Sequence, residues 1–91
     1  MHYRNLQDRL DTVEREVLDK QAALKADPTI ANQIVYYGAL NYGAAAYQMA
    51  LHAVPQPTTL DDVAWRSTWI ERAIFMIQEG KEMCAVLTNE E

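Results

Sequence analysis

Near its start the chain places an aromatic ring, a cation and an amide side by side, as Tyr3, Arg4 and Asn5. A tyrosine ring can stack on the flat face of a base, while a guanidinium and an amide can hydrogen-bond a phosphate. Two more cations stand in WRSTWIERAIFM, at Arg66 and Arg72. A guanidinium there can hold an anion bidentately or stack on Trp65 or Trp69. Each has a structural alternative: Arg66 can pair with Asp62 one turn earlier, and Arg72 can simply face water. The four tyrosines 36, 37, 42 and 47 have apolar bodies and polar tips, which suits helix interfaces better than base stacking.

Groups for catalysis are sparse. Ser67 and Cys84 lack a recognisable histidine and acid context, and His2 and His52 form no metal-binding spacing. His52 fits a hydrogen-bonding role near a helix end better than a metal-ligand role. A non-catalytic protein without metal or cofactor is the expectation.

The chain has 91 residues, 13 acidic and 8 basic, with a formal charge of −5. One domain of this size buries only roughly 60–65% of its unfolded surface, so self-association is a natural further source of burial. The negative charge disfavours duplex nucleic acid, whose binding depends on lysine and arginine displacing counterions. The single cysteine excludes an intrachain disulfide, which fits a reducing cytoplasm, and MHYRNLQDRL has no apolar leader core. No charged residue occurs from Pro28 to Leu60, an interval long enough to span a bilayer. Asn41, Gln48, His52, many small residues and the lack of a flanking Lys/Arg cluster argue against a membrane segment.

Three helices must position these groups. Leu6, Leu10, Val13, Val17 and Leu24 form one face of a helix over about residues 3–26, and Pro28 ends it. Asp27-Pro28 reads as an N-cap with proline in the first turn of a second helix, about 29–54. That helix has two adjacent apolar seams. One comprises Val35, Ala39, Tyr42, Ala46, Met49 and Ala53, and the other Tyr36, Leu40, Gly43, Tyr47, Ala50 and Val54. Together they leave only a narrow polar strip, chiefly Asn41, Gln48 and His52. The prolines of VPQPTT stop it, and Thr59 with Asp62 caps a third helix over about 60–87. The core seam of that helix is Trp69, Ala73, Met76, Gly80, Met83 and Leu87, widened by Leu60, Val63, Ile70, Ile74, Ile77 and Cys84. The polar residues from Thr88 onward are expected to fray.

No alternating strand pattern is present, so the fold class is all-α, with an N-terminal helix and an antiparallel hairpin of the other two. Small residues four apart, Ala39 with Gly43 and Ala46 with Ala50, allow close helix approach. Packing on the bulky third helix is expected, with further packing across a symmetry axis in a homo-oligomer. On that view Gly43 sits at a contact between chains.

The segment MALHAVPQPTTLDDVAWRSTWIERAIFMIQEG resembles the helical hairpin of the phage anti-CBASS and anti-Thoeris nucleotide sponges, over about a third of the chain. Ile70-Glu71-Arg72-Ala73-Ile74-Phe75-Met76 occupies the place of their Leu-Glu-x-Ala core and following aromatic and methionine pair, with Phe-Met where methionine then tryptophan is common. The resemblance implies a homo-oligomer, a hexamer among its forms, that sequesters cyclic di- or trinucleotides in the host cytosol without cleaving them. It also implies that Tyr3 stacks on a base, that Lys20 meets phosphate, and that Arg66 or Arg72 serves a second phosphate site near a symmetry axis. Two alternatives belong to other classes. One is a small acidic protein-interaction module, such as an inhibitor of the anti-CRISPR kind, although the acids of the first helix are interleaved with bases. The other is an assembly protein with no small ligand.

Overall fold

The computed structural model describes residues 4–89. Those residues form three α-helices and no strand: α1 (Arg4–Ala26), α2 (Ile30–Ala53) and α3 (Leu60–Asn89). The bounds lie within two residues of the periodicity reading, and the small differences are set by caps.

The N-cap of α2 is Thr29, not Asp27. Its backbone is extended and its hydroxyl accepts from Asn32 N at 3.2 Å, which satisfies an orphan donor of the first turn. The Asn32 amide donates back to the Asp27 carbonyl at 2.8 Å, so Asp27 contributes its main chain, and Pro28 precedes the cap. At α3 the expected cap is present. Asp62 N donates to Thr59 Oγ1 at 3.0 Å, and the Asp62 carboxylate accepts from Thr58 N and Trp65 Nε1, both at 3.2 Å. Those bonds, led by the one from Thr58 N, hold the Asp62 carboxyl below its usual range. The far end of α3 continues through Thr88 and Asn89 instead of fraying there, and the Thr88 hydroxyl bonds the Cys84 carbonyl at 2.9 Å.

Contacts between helices follow an ordered ladder. Between α2 and α3 they pair Leu40 and Asn41 with Gly80, Gly43 with Met76, Tyr47 with Arg72, and, just beyond α2, Pro55 with Arg66. Between α1 and α2 they pair Leu10 with Tyr47, Val17 with Gly43 and Gln21 with Tyr36. The molecule measures 48 × 20 × 17 Å, a slender body one or two helices across.

The core contains Leu10 and Val17 of α1, with Trp69, Ala73, Met76 and Met83 of α3. Of the two α2 seams, the one from Tyr36 to Val54 is wholly buried. The other is largely open, with Val35, Tyr42 and Met49 at 46, 67 and 72% exposure. Widening positions of α3 are open too: Leu60, Val63, Ile70, Ile74 and Cys84 all face outward.

Gly43 belongs to the interior. A Cβ there would stand 2.6 Å from Met76 Sδ and 3.3 Å from Val17 Cγ2, so the glycine lets all three helices meet within one chain. The close contact is explained without a second copy. Gly80 is roomier, its nearest neighbour being Asn41 Oδ1 at 3.5 Å. Gly43→Leu is therefore expected to lower folding stability by at least about 1 to 3 kcal/mol through overpacking. Gly80→Ala should be neutral or stabilising by up to about 1 kcal/mol. Thermal melts of the two variants check both expectations, and a Gly43→Leu melt equal to wild type would contradict the packing.

Candidate functional site

Arg72 is the most connected cation among the described residues. Its Nη1 donates to Asp11 Oδ1 at 2.9 Å and to the Tyr47 hydroxyl at 3.0 Å, and its Nε lies 2.7 Å from Glu14 Oε2. The Tyr47 hydroxyl donates in turn to the Leu10 carbonyl at 2.9 Å, inside the core. Burial works against the charge of Arg72. Its bonds to Asp11 and Tyr47 and the charge of Glu14 outweigh that, keeping the guanidinium above its usual pKa. Arg72 thus clasps α1 to α2 and α3 instead of facing water, and a phosphate there would have to displace two carboxylates.

Arg66 does not pair with Asp62, whose oxygens are taken up by the α3 cap. Its Nη1 donates to the Pro55 carbonyl at 3.1 Å, and its guanidinium lies 5.9 Å from the Trp65 ring centre. This ties the start of α3 to the connection leaving α2. Trp65 also stacks obliquely on Trp69, centroids 4.6 Å apart.

Apart from Tyr3, the remaining sites predicted from sequence are scattered along α1. Arg4 and Asn5 are exposed at its first turn, Lys20 is half-buried, and Tyr3 lies outside the described residues. From Arg4 to Lys20 the helix rises about 24 Å. Arg66 is level with Arg4 and Asn5, because Arg72 meets Asp11 and six residues back along each helix reaches Arg66 and Asn5. So the structure brings Arg4, Asn5 and Arg66 to one end of the molecule and leaves Lys20 well away from them.

One sizeable depression is not among the sites expected from sequence. It is a groove of about 510 Å³ between α1 and α2, with Leu6, Leu10, Val13, Ala46 and Ala50 among its lining and Arg9, Tyr42 and Met49 on its walls. That volume is in the range of small-molecule sites. Arg9 is exposed, and sequence alone does not single it out because it is embedded in an ordinary charged helix face. Its one signal is its place beside the Leu6-Leu10-Val13 seam, where a long cationic side chain can lie along apolar surface. Lys20 is eleven residues on, three turns at 3.6 residues each, and so shares the α1 flank that carries Arg9.

No family model, curated protein or solved structure matches the chain. What the groove offers is an apolar floor, one aromatic wall and a guanidinium. Among the described residues no group of histidine, cysteine and acid is placed to hold a metal ion, and no helix is long and apolar enough to cross a membrane.

The Arg72 clasp predicts a sizeable stability loss on truncation. Arg72→Ala should cost about 2 kcal/mol, since it leaves the Tyr47 hydroxyl without that donor and two carboxylates unopposed, and Arg72→Lys should recover only part. Chemical denaturation of the three proteins is the measurement.

Buried tyrosines give the pH dependence. Burial raises the pKa of Tyr36, assisted by the charge of Glu79 and opposed by the Gln21 bond, and burial raises that of Tyr47 against its Arg72 bond. A pKa raised by folding adds stability that is fully present below the unfolded value of 10.0 and is lost as pH rises through the folded value. Phenolate absorbance from these two side chains should emerge above pH 10.0 together with loss of helical signal. Their ionisation at lower pH with the fold intact would contradict their burial.

Proposed function

We propose that this chain is a non-catalytic, self-associating helical protein that sequesters cyclic oligonucleotides, with α2 and α3 as an antiparallel hairpin and α1 as the ligand-facing helix. The observation that carries the reading is the α1–α2 groove. The guanidinium of Arg9 flanks an apolar floor, with Leu6, Leu10 and Val13 of α1, large enough for a nucleobase. Lys20, on the same flank of α1, adds a second cation for phosphate. The hairpin segment that resembles phage nucleotide sponges supports the same ligand class.

The geometry revises the roles of the arginines within this reading. Arg72 and Arg66 serve the fold, and Arg9 replaces them as the phosphate ligand, with Arg4 and Asn5 at the open end of α1. Cations separated by about 24 Å along one helix cannot converge on one small ligand within a single chain, which favours sites assembled between copies.

Calorimetric titration of the intact protein with cyclic di- and trinucleotides tests the proposal. Saturable heat with at least one of them is expected, as is a rise in melting temperature with ligand at about 100 times Kd, equivalent to about 2.7 kcal/mol. Arg9→Ala should weaken binding about tenfold or more. No heat and no thermal shift with any ligand in clear excess would overturn it.

A protein-interaction module is the second reading, favoured by the open apolar pair Leu18 and Phe75, which line one depression and are each more than 40% exposed. Recovery of one stoichiometric protein partner from host lysate, lost on Phe75→Glu, would favour it over the sponge.

A further inference from the structure

The open side of α2 has an order that the monomer does not explain. Val35, Gly38, Tyr42, Ala45, Met49 and His52 follow one another at steps of three and four, and all are exposed. A repeat of 3.5 residues is the spacing of a helix that packs lengthwise on another helix. Along it the large Tyr42 and Met49 alternate with the small Gly38 and Ala45, and Val35 and His52 stand at the two ends. Gly38 has open space where a Cβ would stand, with nothing within 4 Å. A mid-helix glycine costs about 1 kcal/mol relative to alanine, and no neighbour in its own chain requires it. Ala45 borders three depressions at once, so the ridge of α2 is low just where a second helix would settle.

Charge and area identify the occupant. With a net charge of −5, two copies repel least where they meet through uncharged surface, and α2 carries no Asp, Glu, Lys or Arg from end to end. From Val35 to His52 the seam is about 26 Å long. With the flanks of the neighbouring helices it is about 20 Å wide. That gives about 500 Å² per copy and about 1,000 Å² in all, the lower bound for a specific interface.

We propose that a second copy of this chain packs its α2 antiparallel on this face, with Tyr42 opposite Ala45, Met49 opposite Gly38 and Val35 opposite His52 of the partner. In that register both large side chains meet small residues, whereas a parallel pair would stack large on large. The two-fold axis passes α2 level with the join between residues 43 and 44. Because Val17 packs at Gly43, Tyr47 bonds Leu10 and Tyr36 bonds Gln21, the axis is level with about residues 14 to 16 of α1. An antiparallel pair about such an axis brings the partner's Lys20 level with Arg9, on the same side of the interface. The copies thereby complete two symmetric cation pairs, each at the edge of an α1–α2 groove and suited to a phosphate. This second step rests on the proposed nucleotide-binding function; the α2 interface does not.

Sedimentation of wild type, Ala45→Lys, Tyr42→Glu and an equimolar mixture of the two variants tests the interface. Both positions are exposed in the single chain, so helical circular dichroism should be unchanged. Each variant should lose the assembly mass built through α2, falling at least twofold, and the mixture should regain it, because the introduced carboxylate and ammonium would face each other across the axis. As a measurement independent of dissociation, chains bearing Cys84→Ser with Gly38→Cys should form disulfides with chains bearing Cys84→Ser with Met49→Cys. Met49→Cys chains alone should not, their thiols being about 16 Å apart along the helix direction. A wild-type assembly whose mass none of these changes alters, or cross-linking of Met49→Cys chains to themselves, would overturn the register. Titration with a cyclic dinucleotide separates the two steps. If Arg9→Ala and Lys20→Ala each weaken binding about tenfold while the assembly mass persists, the shared anion site is supported. Unchanged affinity in both overturns that site alone, and a wild type that assembles through α2 yet binds no cyclic nucleotide retains the interface and removes the function.

Discussion

A helix that is apolar around most of its circumference cannot be covered by two neighbours. This constraint governs the molecule. The charges lie on α1, α3 and the residues flanking them, leaving α2 as an uncharged spine between two charged helices. One seam of α2 is sealed by α1 and α3, around a glycine that lets the three backbones approach. The other seam remains in water, with Tyr42 and Met49 about two-thirds or more exposed. Exposed apolar residues singly are ordinary, but here they form an uncharged stripe at a 3.5-residue repeat, the spacing at which one helix packs lengthwise on another.

Polar contacts then determine where α1 sits. A slender three-helix body has little apolar area to fix the rotation of each helix, and the Arg72–Tyr47–Leu10 chain of hydrogen bonds supplies a directional constraint in the interior. Arg72 reaches two acids on α1 while bonding a tyrosine of α2 from its place on α3. A guanidinium suits this role because its donors lie in a rigid plane and remain charged when partly desolvated. The consequence is that the best-connected arginine stabilises the architecture, while Arg9 on α1 and Lys81 on α3 stay exposed.

Much of the fold was legible in the periodicity. The α3 positions Trp69, Ala73, Met76, Gly80 and Met83 are buried as their spacing requires, and Thr59 caps as its spacing to Asp62 requires. Three things were not legible, each for a physical reason. The two α2 seams are equally apolar, so composition could not say which faced inward. Gly38 and Gly43 look alike in sequence, and only the positions of Met76 and Val17 reveal that Gly43 serves the interior and Gly38 does not. Arg9 and Arg72 each follow an acid along the chain, Asp8 and Glu71, and the long-range partners Asp11, Glu14 and Tyr47 set Arg72 apart as the clasp.

The cover proposed for the open seam of α2 is another copy of this chain. Sedimentation equilibrium of the unmodified protein over a wide concentration range tests it most directly. The expected result is a mass that is a multiple of the single chain and that dissociates on dilution as one interface. A single-chain mass at every concentration would contradict it.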